Sequence, residues 1–132
     1  MSDKPVIMVT GAAGLIGRAV CRHLAARGTP ILAVDRIAGR ADPCAIEICD
    51  VTDIHRLHAL AQRFEIGGII HCGAFSGPMV ERDNPHAIAQ VNIGGTANVL
   101  ELARIHKVRR FVFCSSASAY GATPQASSGE AH

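Results

Sequence analysis

The sequence predicts an α/β fold built on an open, doubly wound parallel sheet with strand order 3-2-1-4-5. Two observations carry this. Short apolar runs without alternation, as in strands buried on both faces, recur along the chain, and stretches with helical apolar spacing separate them. At 132 residues the chain suits one domain with a real core.

The first run is "PVIMVT" at 5–10, followed at once by glycine. From Gly14 the spacing changes: Ile16, Val20 and Leu24 share a helix face, and Gly28 is placed to end that helix. "PILAVD" (30–35) reads as a second strand, "AIEICD" (45–50) as a third, "DIHRLHALAQRF" (53–64) as a helix and "GGIIHCGA" (67–74) as a fourth strand. A long helix follows, with Asn84 as cap, Pro85 in its first turn, and Ile88, Val91, Val99, Leu102 and Ile105 on its apolar face. Gly94 and Gly95 inside it each cost about 1 kcal/mol relative to alanine, which points to tight packing on the sheet or to close approach of a ligand. "RRFVFCSS" (109–116) is the fifth strand, and the tail from Gly121 reads as loop.

Composition narrows the function. Thirteen Lys and Arg against eleven Asp and Glu leave a net charge of +2, and the basic residues are scattered, so neither nucleic acid nor a membrane surface is an expected partner. Cys21, Cys44, Cys49, Cys72 and Cys114 are odd in number, show no C-x-x-C and lie mostly in apolar stretches; they read as reduced core residues of a cytoplasmic protein. The amino terminus has no basic leader, and no apolar run approaches membrane-spanning length.

The chemistry is concentrated after the first strand. "VTGAAGLIG" sets Gly11, Gly14 and Gly17 between strand and helix, where they permit a tight turn, approach of a pyrophosphate and close helix–strand packing in turn. The backbone N–H groups of Leu15 and Ile16 would face the negative charge. Asp35 ends the second strand eighteen residues beyond Gly17, where a carboxylate accepts from both hydroxyls of an adenosine ribose and repels a 2′-phosphate. This Rossmann-type pattern favours NAD over NADP, although the adjacent Arg36 softens the repulsion.

With these motifs in place, the chain resembles the extended short-chain dehydrogenase/reductase family, and within it the NAD-dependent epimerase/dehydratase group. The resemblance rests on "TGAAGLIG", "CDVTD", "IIHCGAFSGP", "VNIGGTANVLELA" and "FVFCSSASAYG", in family order and spacing. It implies that Asp50 and Val51 border the adenine, that Cys72, Gly73 and Ala74 lie beside the diphosphate and nicotinamide ribose, and that Asn92 lies near the cofactor. Gly73 departs from the family's H-x-A-A. The alternatives are an N-cap or turn aspartate for Asp50 and a satisfied buried amide for Asn92. His71 ends a buried strand and reads as bonded to backbone rather than to metal. His55 and His58 share a helix face without a third ligand.

The resemblance also implies a serine beyond the fifth strand that binds the substrate hydroxyl or carbonyl, a proton-transferring tyrosine, and a lysine four residues later. The lysine matters because a free phenol, near pKa 10, is a poor base at neutral pH. Ser116 matches the serine. Tyr120 matches the family's Y-G tyrosine, a site-lining residue, because Pro124 stands four residues on and no lysine follows Lys107. The expectation is therefore an incomplete NAD-binding domain over 1–120 and a loop-like tail over 121–132, belonging to a longer, NAD-dependent sugar epimerase, dehydratase or dehydrogenase. The expected substrate is a sugar or nucleotide sugar, the full-length enzyme is a candidate homodimer, and these residues alone are expected to be inactive. A non-catalytic dinucleotide-binding or sensing module is the alternative.

Overall fold

Four apolar runs and one strand with an apolar centre set the sheet. A computed structural model describes residues 4–77 and 79–122. The strands are β1 (Val6–Thr10), β2 (Ile31–Asp35), β3 (Arg40–Ala41), β4 (Cys44–Ile48), β5 (Ile66–His71) and β6 (Arg110–Phe113), in the order β3-β4-β2-β1-β5-β6. The five longer strands are parallel and reproduce the predicted 3-2-1-4-5 order. The addition is β3, a two-residue strand antiparallel to β4, with Arg40 opposite Ala45 and Ala41 opposite Cys44. Nothing in its short, mixed sequence carries an apolar run, so periodicity does not reveal it.

Because neighbouring strand residues point to opposite faces, Met8 and Val9 serve two cores. On one face α2 (Ile54–Arg63) and α4 (Thr96–Ile105) bury Leu57, Leu60, Val99 and Leu102 against Met8, Leu32, Val34 and Ile69. Each such leucine contributes roughly 1.5–3 kcal/mol on leaving water. Asp53 caps α2 by accepting from the Arg56 N–H at 2.9 Å. On the other face α1 (Leu15–Ala26) packs Cys21 against Val9, Ala12 and Ala33. β6 is an edge strand, and Val112 and Phe113 on it are half exposed.

The predicted long helix is continuous in path but not in winding. Asn84 caps α3 (Pro85–Ala89) by accepting from Ala87 N–H at 3.2 Å, as expected, and the chain then passes through a π-helical turn (Gln90–Gly95) before α4. Such wide turns are common at functional sites. The two glycines there differ: a Cβ on Gly95 would lie 2.5 Å from Val51 Cγ2, whereas one on Gly94 would meet nothing within 4 Å. Close packing on the segment after β4 therefore accounts for Gly95 alone.

Strand ends are shorter than the apolar runs. β5 ends at His71, where the Cys72 N–H is shared between the Thr10 carbonyl at 3.3 Å and the Thr10 hydroxyl at 3.2 Å, and the Gly73 N–H goes to that hydroxyl at 3.1 Å. β6 stops at Phe113, whose carbonyl accepts from Ser115 N–H at 3.1 Å. The cysteines are not uniformly core residues: Cys21 and Cys49 are buried, Cys44 and Cys72 intermediate, and Cys114 exposed, because it lies beyond the edge strand. Residues 123–132, most of the predicted tail, and Pro78 lie outside the described residues. No helix among the described residues is long and apolar enough to cross a membrane.

Candidate nucleotide-binding site

The carboxyl ends of β1, β2, β4 and β5 converge on a cavity of about 120 Å³ lined in part by Gly11, Asp35, Arg36, Asp50, Val51, Gly73 and Ala74. Seven residues predicted from sequence are thus brought together at the sheet edge where the strand order reverses, the position at which open α/β sheets bind ligands. Phe75, Val34, Cys49 and Val91 complete the lining.

The glycine turn is held from two sides. Gly11 has φ +65°, and a Cβ there would lie 2.7 Å from the Cys72 carbonyl carbon, so the turn and the end of β5 can touch only without a side chain. A Cβ on Gly17 would overlap the Gly11 carbonyl, which fixes how closely α1 lies on β1. From the other side, Asp35 Oδ2 accepts from Ala13 N–H at 2.9 Å and Oδ1 accepts from Ile37 N–H at 3.3 Å. Asp35 therefore orients the turn as well as facing the cavity.

No side chain caps α1, which begins after Gly14 and has no acid in its first turn. Its positive end is left for an anion. The Leu15 and Ile16 side chains do not line the cavity; they are exposed, Leu15 by 92%, and border an apolar groove with Val20, Leu24 and Ile70. Only their backbone N–H groups are suited to the predicted role.

Asp50 Oδ1 accepts from the Thr52 N–H at 2.9 Å and from its hydroxyl at 2.8 Å, so the turn reading and the cavity-lining reading hold together for one carboxylate. Val51 is buried, and its carbonyl accepts from Asn98 Nδ2 at 3.0 Å. Burial pushes the thiol of neighbouring Cys49 up to about 11.

Asn92 sits in the π-helical turn, and its side-chain amide is taken up entirely by one residue. Oδ1 accepts from Phe75 N–H and Nδ2 donates to Phe75 C=O, both at 2.8 Å. It thus positions the loop after β5. The Arg36 guanidinium lies over the Phe75 ring, 5.2 Å from its centroid, and closes the same wall.

A chain of hydrogen bonds runs beneath this wall. The Thr96 hydroxyl donates to the Asn92 carbonyl at 2.7 Å, which leaves its oxygen to accept from His71 Nε2–H at 3.0 Å. Nδ1 is then bare and accepts from the Thr10 hydroxyl at 2.6 Å, whose oxygen takes the Cys72 and Gly73 N–H groups. His71 is 2% exposed, and burial lowers its pKa, so the ring is neutral and its tautomer fixed. Its partners are hydroxyls rather than the expected backbone. Thr10, Thr96 and Phe75 were missed in the sequence; a hydroxyl ending the first strand and another four residues after Asn92 are the only traces they leave there.

Beyond Phe75 a second groove, of about 450 Å³, is lined in part by Ser76, Asn92, Thr96, Phe113, Ser115 and Ser116. Ser116 Oγ accepts from Ser118 N–H at 3.1 Å and caps a single 3-10 turn, Ala117–Tyr120. Tyr120 is half exposed at the end of that turn. The described residues hold no group of three or more His, Cys, Asp and Glu able to bind a metal.

The fold is that of a Rossmann-like α/β domain with a parallel-dominated sheet. The match to the model of the NAD dependent epimerase/dehydratase family extends over residues 7–132, and the chain belongs to that family. It is 31% identical over 131 residues to a UDP-glucose 4-epimerase of Streptomyces lividans, covering 95% of this chain and 39% of the relative. It is also 34% identical over 126 residues to a 2-alkyl-3-oxoalkanoate reductase of Stenotrophomonas maltophilia (strain K279a), covering 85% and 33%. Among solved structures, UDP-glucose 4-epimerase from Brucella ovis in complex with NAD superposes with a TM-score of 0.86 at 25% identity, over 97% of this chain and 41% of that one. The chain spans between 33% and 40% of the length of these curated relatives and of a UDP-glucuronate 4-epimerase from Thermodesulfobacterium geofontis.

Proposed function

We propose that this chain is the NAD-holding portion of an enzyme that transfers hydride at a hydroxyl-bearing carbon of a nucleotide-linked sugar. The observation that carries the reading is Asp35, which faces the cavity while its carboxylate fixes the glycine turn through Ala13 N–H. The donor set fits a dinucleotide. The uncapped first turn of α1 suits the diphosphate, Asp35 the adenosine ribose, and Asp50 and Val51 the adenine edge. Arg36 is engaged on Phe75, which favours NAD over NADP. The epimerases among the relatives support a sugar substrate, while the oxoalkanoate reductase marks the breadth of the family.

Bound NAD supplies the hydride-accepting ring. In the reaction Ser116 orients the substrate hydroxyl in the outer groove, and the neutral His71 chain holds the backbone on which Gly73 and Ala74 meet the cofactor. Tyr120 closes the 3-10 turn that Ser116 caps, and proline rather than lysine stands four residues on, so these 132 residues are expected to bind NAD without turning substrate over. Calorimetric titration of NAD and NADP tests the reading. NAD is expected to bind more tightly, and Asp35→Ala to weaken it about tenfold, or about 1.4 kcal/mol. Unchanged NAD affinity in Asp35→Ala would remove Asp35 from the site, and hydride transfer by the wild-type chain with a nucleotide sugar would give Tyr120 the proton-transfer role.

A further inference from the structure

Two thiols meet at the carboxyl edge of the sheet. Cys72 follows β5 and Cys114 follows β6, and their sulfurs are 3.5 Å apart. Cys114 N–H donates to the His71 carbonyl at 3.2 Å, so the two chains still run side by side there. Neighbouring strands are spaced at about 4.8 Å, inside the 4.4–6.8 Å that a disulfide spans between Cα atoms. Closing the sulfurs to the bonded distance of about 2.05 Å is within reach of side-chain rotation.

We propose that Cys72 and Cys114 form an oxidisable dithiol, a modification site for hydroperoxides that closes reversibly to a disulfide across the ends of β5 and β6. Cys114 is exposed, so the oxidant reaches it first. Its thiolate attacks one peroxide oxygen, the O–O bond breaks, and the departing hydroxide takes up the thiol proton as water, leaving a sulfenic acid. The Cys72 sulfur then attacks the Cys114 sulfur; the S–S bond forms, the S–O bond breaks, and hydroxide leaves with the Cys72 proton as a second water. Two thiols and one hydrogen peroxide give one disulfide and two waters, with two electrons passing from sulfur to peroxide.

Cys114 is exposed and Cys72 partly covered, with burial raising the Cys72 thiol's pKa, so Cys114 is the sulfur the oxidant meets and Cys72 the resolving one. Of the other cysteines, Cys21 and Cys49 are buried, and Cys44, on β4, is partly covered and hydrogen-bonded to buried Cys21, so none of them is as exposed as Cys114. The cross-link would join the loop carrying Ala74 and Phe75 to the segment carrying Ser115 and Ser116, two walls of the outer groove. It requires nothing of what that groove binds, so it stands or falls separately from the nucleotide reading.

The test is peptide mapping of the intact chain after treatment with hydrogen peroxide, alkylation and non-reducing digestion. The expected result is an intramolecular Cys72–Cys114 peptide lighter by two hydrogens, reversed by a thiol reductant, while Cys21, Cys44 and Cys49 stay alkylatable. In Cys72→Ser the oxidation should stop at a Cys114 sulfenic acid that dimedone traps. Cys72 and Cys114 both remaining alkylatable, linkage confined to Cys21 and Cys44, or Cys114 joining only two chains to each other would each overturn the proposal.

Discussion

The two ends of the groove are built from different kinds of contact. At the β1–β2–β4 end the functional groups are held by contacts within the fold: Asp35 is bonded to the glycine turn, Asp50 to Thr52, and Gly11 is pressed against the end of β5. At the β6 end Ser116 and Tyr120 ride on one exposed 3-10 turn beside an edge strand. The first end is organised before any ligand arrives. The second is exposed, so under the proposed function binding and chemistry are expected to be separable in this chain.

The largest expected effect comes from breaking the organised end. Gly11→Val would force a side chain into the Cys72 and Gly73 backbone at a φ that valine rarely adopts. A loss of about 3 kcal/mol or more is expected in urea unfolding, together with loss of NAD binding.

Next is the hydrogen-bond chain beneath the wall. His71→Ala leaves the Thr10 and Thr96 hydroxyls without the ring between them, at a cost of about 2 kcal/mol. The same residue sets a pH dependence. Burial lowers its folded pKa, so between that value and the ordinary imidazole value of about 6.5 the unfolded chain holds the proton and the folded chain does not. Stability is therefore full above about 6.5 and falls as the pH drops through that window. Urea midpoints at pH 7.5 and 5.5 should separate more in the wild type than in His71→Asn.

The Asp35→Ala effect on NAD is smaller, about tenfold, because the backbone of the turn survives. Ser116→Ala should be smallest. Its hydroxyl caps one short turn, so about 0.5 kcal/mol of stability and less than twofold in NAD affinity are expected, measured by the same unfolding and titration experiments.

What the sequence made legible follows the same division. The parallel order, Asn84 as a cap and Asp35 at the end of β2 come from local patterns, namely apolar runs, caps and glycine spacing, whereas the lining roles of Asp50, Val51, Gly73 and Ala74 come from the family resemblance. The partners of those residues were not legible. The alliance of Thr10, His71 and Thr96 joins positions 61 and 25 residues apart, and Asn92 meets Phe75 from within the π-helical turn at Gln90–Gly95. Gly95 hinted at that region, but spacing alone does not distinguish a π turn from tight packing. β3 has too few residues to leave a period.

The separability of the two ends is tested most directly by titrating the wild-type chain with the two halves of the dinucleotide. ADP-ribose is expected to retain most of the affinity of NAD, within about tenfold, while nicotinamide mononucleotide shows no saturable binding. Nicotinamide mononucleotide binding as tightly as ADP-ribose would contradict an organised adenosine end and a dependent serine end.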